Sequence, residues 1–290
     1  MKMFFSMSGK EATSRLNTLR GKPVLESFYN PLPAKWSPKK RAGFFESVFL
    51  DSGAFSAWQQ RQTIDLNQYI DFALESNEKN ALWLVAGDLS VNDDPENSIK
   101  VSEKLKALGL PVIPCFHQGE NLHFLDYYED KFGIVALGTK EKTNNKDEVF
   151  TWLCDCFDRL STGNTDENGR LRIYIHGYRL GQYIDYFPFD SVDSTSWANS
   201  GDKRNKAISF SFLNNFMPWL TDEEVGDLIW KFYDRKDTCQ TYVPHQDEIR
   251  DHLYRRASVG EVLTQTIFRN THTKNKLLSI YPGKRDCAQG

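Results

Sequence analysis

Short apolar runs rich in β-forming residues recur along most of the chain. Most are continuous rather than strictly alternating, as is typical of parallel strands that are buried on both faces. About eight such runs are present, at 23–29, 47–50, 82–86, 112–116, 133–137, 171–175, 189–192 and 208–212. Apolar residues at helical spacing between several of them predict helices at 66–74, 95–108 and 149–160.

This alternation of strands and helices predicts an α/β fold, a (β/α)8 TIM barrel over residues 1–220. A doubly wound open sheet is the alternative, but no glycine-rich phosphate-binding turn follows the first run. Beyond residue 220 the pattern becomes helical, and Thr221 to Glu224 resemble a capping box. We therefore expect residues 221–290 to form a C-terminal helical extension packed on the barrel, with helices at 222–235, 247–256 and 259–269.

Composition narrows the class of protein further. The chain has 290 residues, of which 40% are hydrophobic, so it can bury a large core. Its net charge of -3 does not indicate nucleic-acid binding, and any such surface must be local. No apolar run is long enough to span a membrane, and the apolar start is too short for a secretory signal. Five cysteines without disulfide-scaffold spacing suggest reduced thiols, so we expect a cytoplasmic protein.

Polar residues follow most of the apolar runs. Asp51 closes one run and opens the pentapeptide Asp51-Ser52-Gly53-Ala54-Phe55. Later runs are followed by Gly87-Asp88, His117-Gln118-Gly119-Glu120, Gly138-Thr139, His176-Gly177 and Asp193-Ser194. The carboxyl ends of the strands form the active-site face of a TIM barrel, so we expect a polar pocket there. Acid and amide groups, together with an aromatic face, suit a purine-like ligand.

The order of these motifs resembles that of the tRNA-guanine transglycosylases. The similarity is greatest to the branch of phages and bacteria that modifies DNA, the DpdA-like 7-deazaguanine transglycosylases. That branch's motifs D-S-G-A-F-S-A-W, H-Q-G-E and V-D-S-T-S-W are present in full at 51–58, 117–120 and 192–197. The resemblance covers roughly residues 24 to 215.

The resemblance implies an exchange of guanine in DNA for a 7-deazaguanine base such as 7-cyano-7-deazaguanine, through a covalent intermediate between an aspartate and the deoxyribose. Asp51 resembles the general acid/base of the exchange. The residues that resemble base-binding groups are Ser52, Phe55, Asp88, Gln118, Gly138 and His176. Phe55 and His176 would cover the two faces of the base, although the tRNA enzymes usually have Met at the position of His176.

Two aspartates are candidates for the nucleophile. The F-D-x-V motif of the tRNA enzymes selects Asp190, whereas the V-D-S-T-S-W motif of the DNA branch selects Asp193. The two positions differ by three residues, so in a strand their side chains face opposite sides. Asp193 lies closer to the end of the predicted strand, and we favour it.

The resemblance implies no required cofactor, because one N-glycosidic bond replaces another. The tRNA enzymes carry a zinc site whose C-x-C-x2-C motif is missing here. Cys154 and Cys156 fall in a predicted helix, about 200° apart, which does not favour a shared metal. Zinc is possible but not favoured, with Cys239, His245 and His252 as weak candidate ligands.

The expected partners are double-stranded DNA, most simply a phage genome protected against host nucleases, and the free bases guanine and 7-deazaguanine. No membrane partner is expected. Lys203 and Arg204 are the candidate phosphate contacts, because they follow the nucleophile's strand. The alternatives are a tRNA-guanine transglycosylase and a non-catalytic barrel that binds a nucleobase or nucleic acid.

Overall fold

The computed structural model describes residues 1–7, 16–32, 43–78, 82–90, 94–139, 146–168, 170–180, 183, 186–195 and 219–233. All of them belong to one compact unit. Within these ranges the strands are β1 (Lys2–Ser6), β2 (Pro23–Ser27), β3 (Ser47–Asp51), β4 (Leu82–Ala86), β5 (Val112–Ile113), β6 (Cys115–His117), β7 (Ile134–Gly138), β8 (Tyr174–Gly177) and β9 (Ser191–Ser194).

The described helices lie mainly between these strands, as the sequence pattern requires of an α/β fold. They are α1 (Ala54–Gln59), α2 (Leu66–Ser76), α3 (Pro95–Ala107), α4 (His123–Phe132), α5 (Lys146–Ser161) and α6 (Asp222–Tyr233). A short 3-10 helix, Leu16–Leu19, precedes β2.

The strands form one parallel sheet in the order β5-β4-β3-β2-β1-β9-β8-β7-β6. Its two edge segments, β5 and β6, are consecutive in the chain and are separated only by Pro114. β5 pairs with β4, and β6 pairs with β7 on the other side. Proline lacks the N–H that a continuous strand would donate, which explains the break. The sheet therefore returns on itself through residues 112–117 as a TIM-like barrel, and the predicted fold class is confirmed.

Seven of the predicted strands are observed, two of them shifted by two or three residues toward the carboxyl end. The run predicted at 208–212 lies outside the described residues.

β1 was not predicted, because only three consecutive apolar residues mark it. Nevertheless it pairs with β2 on one side and with β9 on the other. Phe4 of β1 is fully buried in the barrel, while Phe5 contacts Trp230 of α6 with ring centroids 5.7 Å apart.

The barrel interior is filled by side chains that alternate along the strands, as in other small barrels. Buried residues from seven strands meet there; they are Phe4, Leu25, Phe49, Leu84, Ala86, Ile113, Cys115 and Ala136. The interior is therefore a packed core, and polar side chains are concentrated above it at the carboxyl ends of the strands.

The helix predicted from residue 222 begins as its sequence indicates. The backbone N–H of Thr221 donates to Oε2 of Glu224 at 2.8 Å, and the N–H of Glu224 donates to Oγ1 of Thr221 at 3.3 Å. This is the reciprocal capping box that the sequence predicts. The helices predicted at 247–256 and 259–269 lie outside the described residues, so the 221–290 extension stays a prediction.

Helix α6 packs very closely on the 3-10 helix at Gly226. A side-chain carbon at Gly226 would lie 1.9 Å from the carbonyl oxygen of Thr18. Gly226→Ala in a helix would ordinarily stabilise by roughly 1 kcal/mol. Here we expect a loss of about 2 kcal/mol in the free energy of unfolding, because the backbones must separate. Denaturant unfolding measures it.

Gly43→Ala is the matched control, since a side-chain carbon at Gly43 meets nothing within 4 Å. We expect it to change the free energy of unfolding by no more than about 0.5 kcal/mol. Equal effects of the two substitutions would contradict the close packing of α6.

Candidate active site

Three aspartates lie at the carboxyl end of the barrel. Asp51 is the last residue of β3, Asp88 follows the neighbouring β4, and Asp193 lies in β9. Asp88 and Asp193 are buried, with 5% and 7% of their surface exposed, and Asp51 is half-buried. The structure thus brings together the three acids that the strand ends predict, at the face where TIM barrels carry their chemistry.

The pKa of Asp51 lies far above the ordinary value of an aspartate. Loss of hydration raises its pKa to about 8, and the negative charges of Asp88 and Asp193 add to this effect. The Arg179 guanidinium and the N–H of Gly53, which donates to Oδ2 of Asp51 at 3.2 Å, oppose the shift only in part. Asp51 is therefore largely protonated near pH 7, and it can give or take a proton in that range.

Asp193 contacts one residue in β8 and one that follows it. Its Oδ1 accepts a hydrogen bond from the backbone N–H of Arg179 at 2.9 Å and lies 3.8 Å from Nε2 of His176. The other ring nitrogen of His176, Nδ1, lies 2.8 Å from Oγ of Ser191. Burial lowers the pKa of His176, and the nearby Asp193 carboxylate offsets this only in part. The ring is therefore neutral near pH 7.

His176 lies in the barrel rather than on the pocket surface. Its ring is fully buried and is surrounded edge-on by the rings of Phe4, Phe49 and Tyr178, with centroids 6.0, 4.9 and 4.8 Å away. In this structure it offers no exposed face to a base. Its contacts suit a role in positioning Asp193.

Asp88 is the first of several polar side chains that contact one another near the carboxyl end of the barrel. The Cys115 thiol donates to its Oδ1 at 3.0 Å, and Nε2 of His117 lies 3.6 Å from its Oδ2. The other nitrogen of His117 lies 3.2 Å from Oε1 of Glu120. Burial and the charge of Asp88 raise the pKa of Cys115, so the thiol keeps its proton and remains a donor. The motif 117–120 thus supports Asp88 from one side.

The pentapeptide 51–55 makes a tight turn into α1. Ser52 is fully buried, and its Oγ accepts a hydrogen bond from the N–H of Ala54 at 3.2 Å, which satisfies one amide of the helix start. Gly53 has φ of 83°, and a side-chain carbon there would come within 2.4 Å of both Ser27 and Tyr29. Glycine is therefore required at position 53, and the Ser52 hydroxyl group already accepts a local hydrogen bond within the turn.

Phe55 carries a cation on its face. The Arg179 guanidinium lies 3.9 Å from the centroid of the Phe55 ring. Arg179 has φ of 60°, which is unusual for a residue with a side chain and is often found at functional sites. A ligand that stacks on this face of Phe55 must therefore displace the guanidinium. Arg179 could not be predicted from the sequence, because no residue pattern signals its backbone conformation.

The two remaining predicted pocket residues lie on adjoining strands. The backbone N–H of Gln118 donates to the carbonyl oxygen of Gly138 at 2.9 Å. Gln118 is half-buried. A side-chain carbon on Gly138 would lie 3.5 Å from Cδ2 of His117, which is ordinary contact distance.

Asp190 is not part of this group. It is an exposed residue that precedes β9, and its Oδ2 accepts a hydrogen bond from the N–H of Ile175 at 2.8 Å. It therefore lies at the amino end of the strand, away from Asp51.

The remaining candidate residues lie outside the described residues. They are the phosphate contacts Lys203 and Arg204 and the weak zinc candidates Cys239, His245 and His252.

The described ranges contain neither a candidate metal site nor a helix that could cross a membrane. No three side chains of His, Cys, Asp or Glu converge there so as to hold a metal ion. None of the helices in those ranges has the length and apolar character needed to cross a membrane.

Compared with protein-family models, with curated proteins and with solved structures, the chain gives no match. Inference about function therefore depends on the sequence motifs and on the geometry described above.

The raised pKa of Asp51 predicts a pH-dependent cost to stability. Its folded-state pKa of about 8 exceeds the unfolded value, so the folded state binds the extra proton and stability falls as pH rises from about 4 to about 8. Asp51→Asn removes this titration. We expect the variant to be more stable than the wild type at pH 8, by on the order of 2 kcal/mol, and equally stable near pH 3.

The measurement is the free energy of unfolding of both proteins across this pH range. Other titrating groups, including His176, are common to both proteins and largely cancel in the difference. Asp71→Asn, at an exposed position on α2, is the control and should show little pH-dependent difference. A difference for Asp51→Asn that does not vary with pH would contradict the raised pKa.

Proposed function

We propose that this protein is a DNA-guanine transglycosylase that exchanges guanine for a 7-deazaguanine base through a covalent intermediate. The observation that supports the proposal most is the grouping of Asp51, Asp88 and Asp193 at the carboxyl end of the barrel, with the pKa of Asp51 raised to about 8. A two-step exchange at a glycosidic carbon needs a proton donor and a second carboxyl group that attacks, and the raised pKa of Asp51 suits it to the donor role.

In the first step a carboxylate oxygen of Asp193 attacks C1′ of the deoxyribose. The bond from C1′ to N9 of guanine breaks, and its electron pair remains on the departing base. Asp51, which is largely protonated near pH 7, gives the base a proton as it leaves. The N–H of Arg179 fixes the orientation of Asp193 for the attack.

In the second step the incoming 7-deazaguanine gives its N9 proton to the Asp51 carboxylate. N9 then attacks C1′, the bond between C1′ and the Asp193 oxygen breaks, and its electron pair returns to the carboxylate. Both acids end in their starting protonation states. No redox change occurs and no energy source is required, because one N-glycosidic bond replaces another.

The same pocket supplies groups for holding the base. The Asp88 carboxylate can accept from base N–H groups, and the Cys115 thiol and His117 hold it in place. Gln118 and the backbone of Gly138 are the proposed partners for the rest of the base edge. Phe55 can stack on the base once Arg179 leaves its face.

DNA is the proposed polymer because the three motifs resemble those of the DNA-modifying branch. The target guanine must leave the duplex stack to reach a carboxylate in the barrel, at a cost of a few kcal/mol. Lys203 and Arg204 are proposed to contact phosphates, which would make binding weaker at high salt.

Incorporation of labelled guanine tests the function and its two alternatives. The protein is incubated with radiolabelled guanine and either duplex DNA or tRNA, and the label in each polymer is counted. Label in DNA supports the proposal, and label in tRNA would indicate a tRNA enzyme. Label in neither, with guanine still bound in equilibrium dialysis, would indicate a non-catalytic nucleobase-binding barrel.

The nucleophile is tested by substituting each candidate aspartate separately. We expect Asp193→Asn to lower exchange by more than about a thousandfold, because the attacking oxygen is lost. Asp190→Asn should keep exchange within a few-fold of the wild type, since it lies away from Asp51 and an amide oxygen can still accept from the N–H of Ile175.

Trapping of the covalent intermediate gives a second measurement. A DNA adduct that survives denaturing electrophoresis should form with the wild type and with Asp190→Asn, but not with Asp193→Asn. An adduct that persists in Asp193→Asn and disappears in Asp190→Asn would reverse the assignment.

A further inference from the structure

The hydroxyl group of Tyr178 is a buried donor for which the described part of the chain supplies no hydrogen-bond partner. Tyr178 as a whole is half-buried, but its Oη is shielded from solvent and has no hydrogen-bond partner among the described residues. Most buried polar atoms in folded proteins are hydrogen-bonded, because an unpaired group loses its hydration without compensation. Such an atom in a polar pocket indicates a place where a ligand can supply the missing partner.

Tyr178 lies at the same end of the barrel as the three acids. It directly follows β8, and its backbone N–H donates to the carbonyl oxygen of Leu137 at 2.9 Å. Its ring packs against Phe49, with centroids 5.8 Å apart, and against His176. A side-chain carbon on Gly138 would lie 3.7 Å from Cβ of Tyr178, so the ring adjoins the proposed base-binding strand.

The hydroxyl group of Tyr178 keeps its proton near neutral pH. Burial raises the pKa of Tyr178 well above its ordinary value, and Cys115, Asp51 and Asp88 raise it further. The group is therefore a neutral O–H that can donate across the working pH range. Its neighbours Asp51 and Asp88 supply acceptors, so the pocket offers an acceptor side and a donor side.

Tyr69 provides an internal comparison. Tyr69 is fully buried, which raises the pKa of its hydroxyl group, and Asp51 and Asp88 raise it further, as they do for Tyr178. However, its hydroxyl group donates to the carbonyl oxygen of Ala86 at 2.9 Å. A tyrosine in these surroundings can thus find a protein acceptor, and Tyr178 differs in leaving its donor unused.

We propose that the Tyr178 hydroxyl group donates a hydrogen bond to the 6-carbonyl oxygen of the bound base and selects for that oxygen. In guanine, as in 7-deazaguanine, this carbonyl lies on the same edge as the ring N–H and the 2-amino group, next to the ring N–H. Asp88 would accept from these N–H groups, which leaves the carbonyl beside the donor side of the pocket. The inference rests on the proposed function, because it assumes that a guanine-type base occupies this pocket.

Tyr178→Phe and Tyr69→Phe form a matched pair for the test. Equilibrium dialysis with radiolabelled guanine measures affinity, and 6-thioguanine serves as competitor. That analogue keeps the ring N–H and the 2-amino group but replaces the carbonyl oxygen by sulfur, a poor acceptor. We expect Tyr178→Phe to bind guanine about tenfold more weakly and to lose most of the preference for guanine over 6-thioguanine. Tyr69→Phe should retain that preference.

Thermal unfolding without ligand separates binding from a purely structural role. Tyr178→Phe should unfold at or above the wild-type temperature, since it removes an unpaired buried group. Tyr69→Phe should unfold at a lower temperature, because it loses a bond and leaves a buried carbonyl group unpaired.

The outcomes distinguish this inference from the proposed function. If the wild type binds no guanine, the proposed function and the inference both fail. If the wild type binds guanine and Tyr178→Phe binds it equally well with the same preference over 6-thioguanine, only the inference fails. A Tyr178→Phe variant that unfolds at a lower temperature than the wild type would also overturn it, since the hydroxyl group would then have a structural partner.

Discussion

The grouping of three carboxyl groups at one end of the barrel is the constraint on which the rest of the site depends. Like charges in a medium of low dielectric cannot all ionise freely, so the pocket must distribute protons and donors among them. Asp51 keeps a proton to about pH 8, whereas Asp193 accepts a hydrogen bond from the backbone N–H of Arg179 and Asp88 accepts one from the Cys115 thiol. Each acid therefore has a different electrostatic environment, and their chemistry can differ accordingly.

These environments depend on the packed interior below them. Phe4 and Phe49 enclose the neutral ring of His176, which in turn lies beside Asp193. Because the interior is well packed, the strand ends above it are fixed, and so are the side chains that they carry. Arg179, with its unusual φ of 60°, donates its backbone N–H to Asp193 at this end of the barrel.

The barrel and the grouping of acids could be predicted from the sequence, because continuous apolar runs mark buried parallel strands and a residue after such a run must lie at the sheet edge. The finer arrangement of the side chains in the site could not be predicted in this way. Asp190 and Asp193 are close in sequence but lie toward opposite ends of β9, and only the observed register separates them. The Tyr178 hydroxyl group, which has no hydrogen-bond partner among the described residues, depends on tertiary neighbours that no local pattern records.

The pairing of β1 with β9 has a consequence for how the chain folds. Lys2 pairs with Ser191, so β1 is synthesised long before the strand β9 with which it pairs. Contacts of such long sequence separation are slow to form, since the loss of chain entropy precedes their gain. During synthesis β1 therefore lacks one of its two neighbouring strands, and its apolar side chains are incompletely covered. Aggregation or chaperone binding would compete with folding at this stage.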